Sequence, residues 1–163
     1  MANHTLLFVD DEPWLTESMR ITLEARGFRC EVKREATAAW HFLLTNPVSV
    51  LITDIMMPAG DSFANVDSAE AGYVFIERVR QKFPKMSIVC LSVIGDQSKI
   101  QALKKKGIQY LRKGETPLKT AVRLVESKAT GLYRSERKEY CSLRTMHFLL
   151  ADCRSFSLIT AIP

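Results

Sequence analysis

The sequence predicts a doubly wound α/β fold, in which one parallel sheet of five strands carries helices on both faces. Short apolar segments alternate with segments whose apolar residues recur at helical spacing, which is typical of parallel α/β proteins. Right-handed crossovers between successive strands place the intervening helices on both faces of the sheet. The five predicted strands span residues 6–9, 28–33, 48–53, 87–91 and 108–111.

The helices predicted after the first two strands have recognisable start and stop signals. Pro13 suits the first turn of a helix, and Gly27 is typical of a helix end. Thr37 is the expected N-cap of the second helix, which Pro47 brings to an end. These signals separate the first three predicted strands.

The last three helices are predicted in the same way. Asp67 and Glu70 have the spacing of a capping box, with Asp in place of the usual Ser or Thr. Asp96 is the expected N-cap of the fourth helix, Pro117 begins the fifth, and Gly131 ends it. We therefore expect one domain over residues 1–131.

Residues 132–163 form a predicted C-terminal extension of unknown structure. The segment contains a charged stretch and two short apolar runs, and it is too short for a domain with its own core. A dimerisation arm, a partner-bound peptide, a disordered end and an appended non-native segment remain open as explanations.

Composition points to an ordinary globular protein of the cytoplasm. The 163 residues are 47% hydrophobic and 25% charged, and no apolar run approaches the roughly 20 residues that cross a membrane. The N-terminus lacks the basic start of a signal peptide. The four cysteines form no CxxC pair or zinc pattern, which indicates free thiols in a reducing compartment. A net charge of +5 is too small to indicate nucleic-acid binding.

Polar side chains follow four of the predicted strands. Asp10 and Asp11 come after the first strand, Asp54 after the third, Ser92 after the fourth and Lys113 after the fifth. In an open parallel sheet, ligands bind outside the carboxyl ends of the strands, so these residues are expected to converge. Three carboxylates, a hydroxyl and an ammonium suit a divalent metal together with a phosphoryl group.

Four short motifs carry these residues: Val-Asp-Asp-Glu at 9–12, Leu-Ile-Thr-Asp-Ile-Met-Met-Pro at 51–58, Leu-Ser at 91–92 and Tyr-Leu-Arg-Lys at 110–113. In this order, and at matching strand ends, they resemble the receiver domain of two-component response regulators over residues 4–131. The resemblance implies a flavodoxin-like sheet with strand order 2-1-3-4-5.

The resemblance also implies roles for individual residues. Asp54 is the expected phosphoacceptor, because a carboxylate oxygen can attack phosphorus and form an acyl phosphate. Asp11 and Asp54 are expected to bind Mg²⁺ directly, Asp10 to bind it mainly through water, and the Met56 carbonyl to add a ligand. Without this context, adjacent acidic residues are simply favoured at a helix N-terminus.

Three further residues complete the expected switch. Lys113 neutralises phosphoryl oxygens, the Ser92 hydroxyl turns toward the phosphoryl group, and the Tyr110 ring follows it inward. The surface of the fourth helix, fifth strand and fifth helix would respond. The alternatives are a hydroxyl satisfied at a strand end for Ser92 and an ordinary half-buried strand tyrosine for Tyr110.

Three features depart from the family pattern. Gly114 follows Lys113 where the family usually has a cis proline, so we expect a differently shaped loop and a less firmly placed lysine. Asp54 and Ser92 are 38 positions apart, which indicates an insertion within residues 59–70 that forms a lid, a partner contact or a tolerated loop. Val93 stands where a small residue is usual and is expected to narrow access to the phosphoryl group.

The sequence therefore favours a phosphoacceptor receiver rather than an enzyme, although receivers can catalyse their own phosphorylation and dephosphorylation. The expected partners are a histidine kinase or phosphotransfer protein and a downstream protein target, with a second copy of the chain as a further candidate. No direct DNA binding is expected, because no helix-turn-helix pattern follows. The alternative is a receiver-like binding module that signals without phosphorylation. A phosphohydrolase is disfavoured because position 56, where such enzymes carry a second aspartate, is Met.

Overall fold

Five parallel strands form one sheet in a computed structural model, which describes residues 4–93 and 96–131. The strands are β1 (Thr5–Val9), β2 (Arg29–Lys33), β3 (Val50–Thr53), β4 (Ser87–Ser92) and β5 (Gln109–Arg112). Their order in the sheet is β2-β1-β3-β4-β5, so the predicted fold class and topology are confirmed.

Helices cover both faces of this sheet. Side chains alternate along β1, so that Leu6 and Phe8 face one core cluster while Leu7 and Val9 face the other. The helices are α1 (Glu17–Ala25), α2 (Ala36–Thr45), α3 (Ser68–Lys82), α4 (Gln97–Lys105) and α5 (Leu118–Thr130). The first cluster is completed by α1 and α5, and the second by α2, α3 and α4.

The strand register brings the carboxyl ends of the central strands side by side. Val9 at the end of β1 is opposite Thr53 at the end of β3, and Thr53 is opposite Cys90 in β4. Ser92, the last residue of β4, is opposite Arg112, the last residue of β5. The residues that follow these ends therefore share one edge of the sheet.

Two helix starts differ from the sequence prediction. Pro13 lies in a separate 3-10 turn (Pro13–Leu15), and α1 begins only at Glu17. Thr37 does not cap α2, because the helix already begins at Ala36 and the Thr37 hydroxyl donates to the Ala59 carbonyl at 3.0 Å. For Thr37, a contact with a distant loop replaces the local signal.

Other predicted helix ends are confirmed. The Asp67 carboxylate accepts a hydrogen bond from the Ala69 amide, and the Asp96 carboxylate accepts one from the Ser98 amide, each at 2.9 Å. Gly131 follows α5 with a φ of 75°, a left-handed conformation that favours glycine. The capping box itself is only half formed, because the Asp67 side chain caps the helix, whereas the Glu70 side chain is engaged with α4.

Within the described residues, no helix combines the length and apolar character needed to cross a bilayer. Cys30 and Cys90 are free thiols. The predicted extension over residues 132–163 lies outside the described residues and stays a prediction, as does the boundary before it.

Candidate functional site

An acidic cluster lies at the carboxyl edge of the sheet. One carboxylate oxygen from each of Asp10, Asp11 and Asp54 lies within 4.8 Å of the others. The Asp10 amide donates to the Lys33 carbonyl and the Asp54 amide to the Val9 carbonyl, which fixes both backbones to the ends of strands. Asp10 and Asp54 are buried, whereas Asp11 is exposed. The sequence-predicted carboxylates are therefore brought together, with one side open to solvent.

Lys113 provides the positive charge within this cluster. Its Nζ lies 2.5 Å from Asp54 Oδ2 and 2.8 Å from Asp10 Oδ2, and the side chain is buried. Burial acts to lower the pKa of Lys113, but its close contacts with the carboxylates of Asp10 and Asp54 outweigh burial and raise the pKa. Burial also raises the pKa of Asp10, more than Lys113 lowers it. Lys113 thus stays protonated between the two buried carboxylates.

The Asp54 carboxylate is held in a fixed orientation. Its Oδ1 accepts hydrogen bonds from the amides of Ile55 at 2.5 Å and Met56 at 3.2 Å, while Oδ2 faces Lys113. The backbone of Met56 thus borders the site, and its side chain is 45% exposed at the rim. Pre-aligned donors of this kind suit a group that reacts at one oxygen without rearranging.

Gly72 shapes the same loop from the side of α3, and its role is not predicted by the motifs of the sequence. The Gly72 amide donates to the Ile55 carbonyl at 2.9 Å. A Cβ at this position would lie 2.4 Å from the Asp54 carbonyl oxygen, so only glycine fits. The available signal was an isolated glycine inside a helical pattern, which often marks a close packing contact.

Ser92 links Lys113 and Tyr110 through its backbone. The Ser92 carbonyl accepts hydrogen bonds from the Lys113 amide and the Tyr110 hydroxyl, each at 3.1 Å. Ser92 is fully buried and Tyr110 is half-buried, and burial raises the pKa of Tyr110. The structure therefore connects both predicted switch residues to the Lys113 backbone, because the Tyr110 hydroxyl and the Lys113 amide donate to the same Ser92 carbonyl.

The loop after Lys113 has the altered shape that Gly114 suggested. Gly114 has a φ of 78°, a left-handed conformation that proline cannot adopt, and the described residues contain no cis peptide bond. The expected looser placement of Lys113 is wrong, because its side chain is buried between two carboxylates and its amide is bonded to Ser92. Lys113 is therefore held in place beside a left-handed Gly114, without a cis proline after it.

The insertion after β3 is fastened to α2. The Thr37 hydroxyl donates to the Ala59 carbonyl and accepts from the Ser62 amide at 2.9 Å. The amides of Ala36 and Thr37 donate to the carbonyls of Pro58 and Ala59. These bonds satisfy the free amides at the start of α2, which explains why this helix needs no side-chain cap.

The same insertion also contributes to the core. Phe63 is buried and meets the Phe75 ring edge-on, with ring centroids 5.9 Å apart. The Arg78 guanidinium lies over the Trp40 ring at 4.5 Å and over the Phe63 ring at 5.0 Å. The sequence left three explanations open for residues 59–70: a lid, a partner contact and a tolerated loop. The lid fits this anchoring least well.

The acidic cluster fits a magnesium ion. Its three carboxylates against one ammonium leave two uncompensated negative charges if all are ionised. Asp10 Oδ2 is buried and, despite its distance of 2.8 Å from Lys113 Nζ, has no well-directed hydrogen bond within the described residues. Oxygen ligands open to water on one side are what Mg²⁺ prefers, since it retains several waters.

With this geometry established, the class of protein is clear from the family comparison. The family model for the response regulator receiver domain matches residues 6–123, and the chain belongs to this family. The family assignment predicted from the four motifs is confirmed.

Among curated proteins, the chain is similar to several response regulators. It is 30% identical over 121 residues to response regulator GtcR of Aneurinibacillus migulanus, covering 74% of this chain and 46% of that protein. It is 31% identical over 162 residues to hydrogenase transcriptional regulatory protein HoxA of Cupriavidus necator, covering 96% of this chain and 31% of that protein. The chain thus spans less than half the length of these relatives, and the HoxA alignment extends beyond residue 131.

Solved structures share the fold. A CheY-like receiver domain protein from Methanospirillum hungatei matches with a TM-score of 0.67 at 15% identity, covering 82% of this chain and 99% of that one. A signal receiver domain of an HD domain-containing protein from Pseudomonas fluorescens matches with a TM-score of 0.65 at 21% identity, covering 85% and 94%.

Proposed function

We propose that this chain is a phosphoacceptor receiver domain that is phosphorylated on Asp54 in a Mg²⁺-dependent reaction. The observation that carries the proposal is the contact of one buried ammonium, Lys113, with both Asp54 and Asp10 at the open edge of the sheet. A buried cation held by two carboxylates suits the neutralisation of phosphoryl oxygens, which is the main task in phosphoryl transfer.

The proposed reaction uses Asp54 as the nucleophile. A carboxylate oxygen of Asp54 forms a new bond to phosphorus while the bond from phosphorus to the donor breaks. The bonding electron pair leaves with the donor, as imidazole from a phosphohistidine or as acetate from acetyl phosphate. The product is an acyl phosphate on Asp54.

Other residues of the chain orient and stabilise the reacting groups. The amides of Ile55 and Met56 hold Asp54 Oδ1, and Lys113 supplies positive charge near Oδ2. Asp10 and Asp11, with Asp54 and the Met56 carbonyl, would hold Mg²⁺, which supplies charge neutralisation and orientation to the phosphoryl oxygens. Ser92 and Tyr110 would respond to the new group, since both are already linked to Lys113 through the Ser92 carbonyl.

The direct test is incubation with acetyl phosphate and Mg²⁺, followed by mass analysis of the intact protein. We expect the wild type to gain one phosphoryl group and Asp54→Asn to gain none. Asp61→Asn, which changes an exposed aspartate of the insertion, serves as the matched control and should be labelled like the wild type. EDTA should abolish labelling.

The alternative, a receiver-like module that signals without phosphorylation, predicts a different result. Such a protein would show no labelling and no Mg²⁺-dependent binding of beryllofluoride, a mimic of the phosphoryl group. The trans Lys113–Gly114 linkage motivates this alternative, whereas the buried and ion-paired Lys113 favours phosphorylation.

The proposed partners follow from family membership. A histidine kinase or phosphotransfer protein would supply the phosphoryl group, and the output would be contact with a downstream protein or a second copy of the chain. HoxA is named a transcriptional regulatory protein, and the chain aligns with 31% of it. The expectation of no direct DNA binding therefore applies to residues 1–131 and not to a longer protein of which they would be part.

A cytoplasmic location remains part of the proposal. Its support is that Cys30 and Cys90 are both free thiols, as is usual in a reducing compartment.

A further inference from the structure

Two ion pairs connect α4 to α3. Lys99 Nζ lies 3.0 Å from Glu70 Oε1, and Lys106, which caps the end of α4, pairs with Glu77. The two acids are seven residues apart on α3, and the two lysines are seven residues apart along α4. Seven residues are about two helical turns, so each pair of like charges lies on one face of its helix. Both helices run antiparallel to the strands and therefore parallel to each other. The acids of α3 and the lysines of α4 thus face each other in the same order along the two helices.

Tyr73 lies beside the first of these ion pairs. Lys99 Nζ is 5.0 Å from the centroid of the Tyr73 ring, and Tyr73 is one helical turn after Glu70. The Tyr73 ring packs against the core, and its hydroxyl is buried without a hydrogen-bond partner among the described residues. An unpaired buried hydroxyl is unfavourable, so this arrangement of α3 and α4 includes a cost that the ion pairs offset.

The first turn of α4 follows the end of β4 closely in the chain. Asp96 lies four residues after Ser92 and caps α4 by accepting hydrogen bonds from the amides of Ser98 and Lys99. Lys99 therefore belongs both to the capped turn and to the ion pair with Glu70. A change in the backbone after Ser92 would act on this turn first.

We propose that Glu70, Glu77, Lys99 and Lys106 form an electrostatic clasp that holds α4 on α3 in the unphosphorylated protein and is released when Asp54 is phosphorylated. This inference rests on the proposed function. The four side chains are 36% to 60% exposed, and exposed pairs are weak and screened by salt. A clasp of this strength can be released by a change at the site, and its release gives the Tyr73 hydroxyl access to water.

The test compares two double variants that carry the same change in charge. Glu70→Gln with Glu77→Gln removes the acids of the clasp. Glu31→Gln with Glu126→Gln is the matched control, because it removes two ion pairs, with Arg29 and Arg26, that do not involve α4. Hydrogen exchange of the α4 amides is measured without phosphodonor, and beryllofluoride binding with Mg²⁺ is measured by titration.

We expect the clasp variant to exchange its α4 amides about threefold faster than the wild type and to reach half-saturation with beryllofluoride at an about threefold lower concentration, as the loss of two exposed pairs implies. The control variant should match the wild type in both measurements. Added salt should narrow the difference between the clasp variant and the wild type.

Exchange of the α4 amides at the control rate would overturn the clasp. Faster exchange with an unchanged beryllofluoride titration would overturn its connection to phosphorylation. Absence of beryllofluoride binding in the wild type itself would instead contradict the proposed function, so the two failures are distinguishable.

Discussion

Gly72 and Asp54 are in such close backbone contact that a Cβ on Gly72 would lie 2.4 Å from the Asp54 carbonyl oxygen and 2.4 Å from the Cα of Ile55. The contact is reinforced by the hydrogen bond from the Gly72 amide to the Ile55 carbonyl. The conformation of the candidate phosphoacceptor loop is therefore set by α3 as well as by β3.

Gly72→Ala should destabilise the fold and weaken metal binding together. The added methyl group meets backbone atoms that cannot move aside without displacing the loop, and overpacking of this kind costs about 1–3 kcal/mol. Urea unfolding and a Mg²⁺ titration measure the two effects. Val74→Ala, an exposed site on the same helix, is the control. Equal stability and equal Mg²⁺ affinity in wild type and Gly72→Ala would show that the loop is not held in this way.

Gly114 offers a test of the loop that replaces the usual proline. Gly114→Ala should cost about 1 kcal/mol, because φ is 78° but nothing lies within 4 Å of an added Cβ. Gly114→Pro should cost more and slow labelling by acetyl phosphate, since proline fixes φ near −65° and forces the loop beside Lys113 to change.

Gly107→Ala is the matched control for Gly114, since Gly107 has a φ of 74° and equally open surroundings. It should lose similar stability without slower labelling. If Gly114→Pro were labelled at the wild-type rate, the shape of this loop would not determine the placement of Lys113.

The parts of the site that follow strands were predictable from sequence. Asp10, Asp54 and Lys113 each come directly after a short strand, and the order of a parallel sheet places such residues at one edge. The caps at Asp67 and Asp96 were predictable because the partner amides lie two or three residues away.

The parts that depend on distant backbone were not predictable. Thr37 had the pattern of a helix cap, but its hydroxyl is used by Ala59 and Ser62, which are 22 and 25 residues away. Glu70 had the spacing for a capping box, but its carboxylate pairs with Lys99, 29 residues away. In each case a local preference yields to a tertiary partner that sequence spacing does not reveal.

The hydrogen bonds between the insertion and α2 predict that the insertion stabilises the fold and does not control access to Asp54. Thr37→Val should lower the free energy of unfolding by about 2 kcal/mol, because the Ser62 amide and the Ala59 carbonyl each lose a partner. Labelling of Asp54 should keep its wild-type rate. Thr45→Val, which removes an exposed hydroxyl of the same helix, is the control. A variant that folds as stably as wild type but is labelled faster would support a lid instead.

Val93 is expected to limit access to the phosphoryl group. It directly follows Ser92, and its side chain is 55% exposed beyond the end of β4. Val93→Ala should therefore speed both phosphorylation by acetyl phosphate and hydrolysis of the product, which phosphate release after donor removal measures. The exposed side chain of Val74, truncated to alanine, controls for removal of surface apolar area. Slower hydrolysis in Val93→Ala than in wild type would contradict this role.

Asp10 should destabilise the metal-free protein at neutral pH. Burial raises its pKa above the ordinary 3.8, more than Lys113 lowers it, so the folded protein binds this proton more tightly than the unfolded chain. The stabilising contribution of the protonated form is complete below pH 3.8 and is lost as the pH rises through the raised pKa. In EDTA near pH 7, Asp10→Asn should therefore raise the free energy of unfolding.

Magnesium should reverse the order of stability of the wild type and Asp10→Asn. The wild type should gain stability with Mg²⁺, because binding to the folded state alone raises the free energy of unfolding, and Asp10→Asn should gain much less. Urea unfolding in EDTA and in Mg²⁺ measures both effects, with Asp61→Asn as the control that behaves like the wild type. An Asp10→Asn protein that is less stable than the wild type in EDTA would show that the Lys113 ion pair outweighs the burial of Asp10, and that the cluster does not need a cation to be stable.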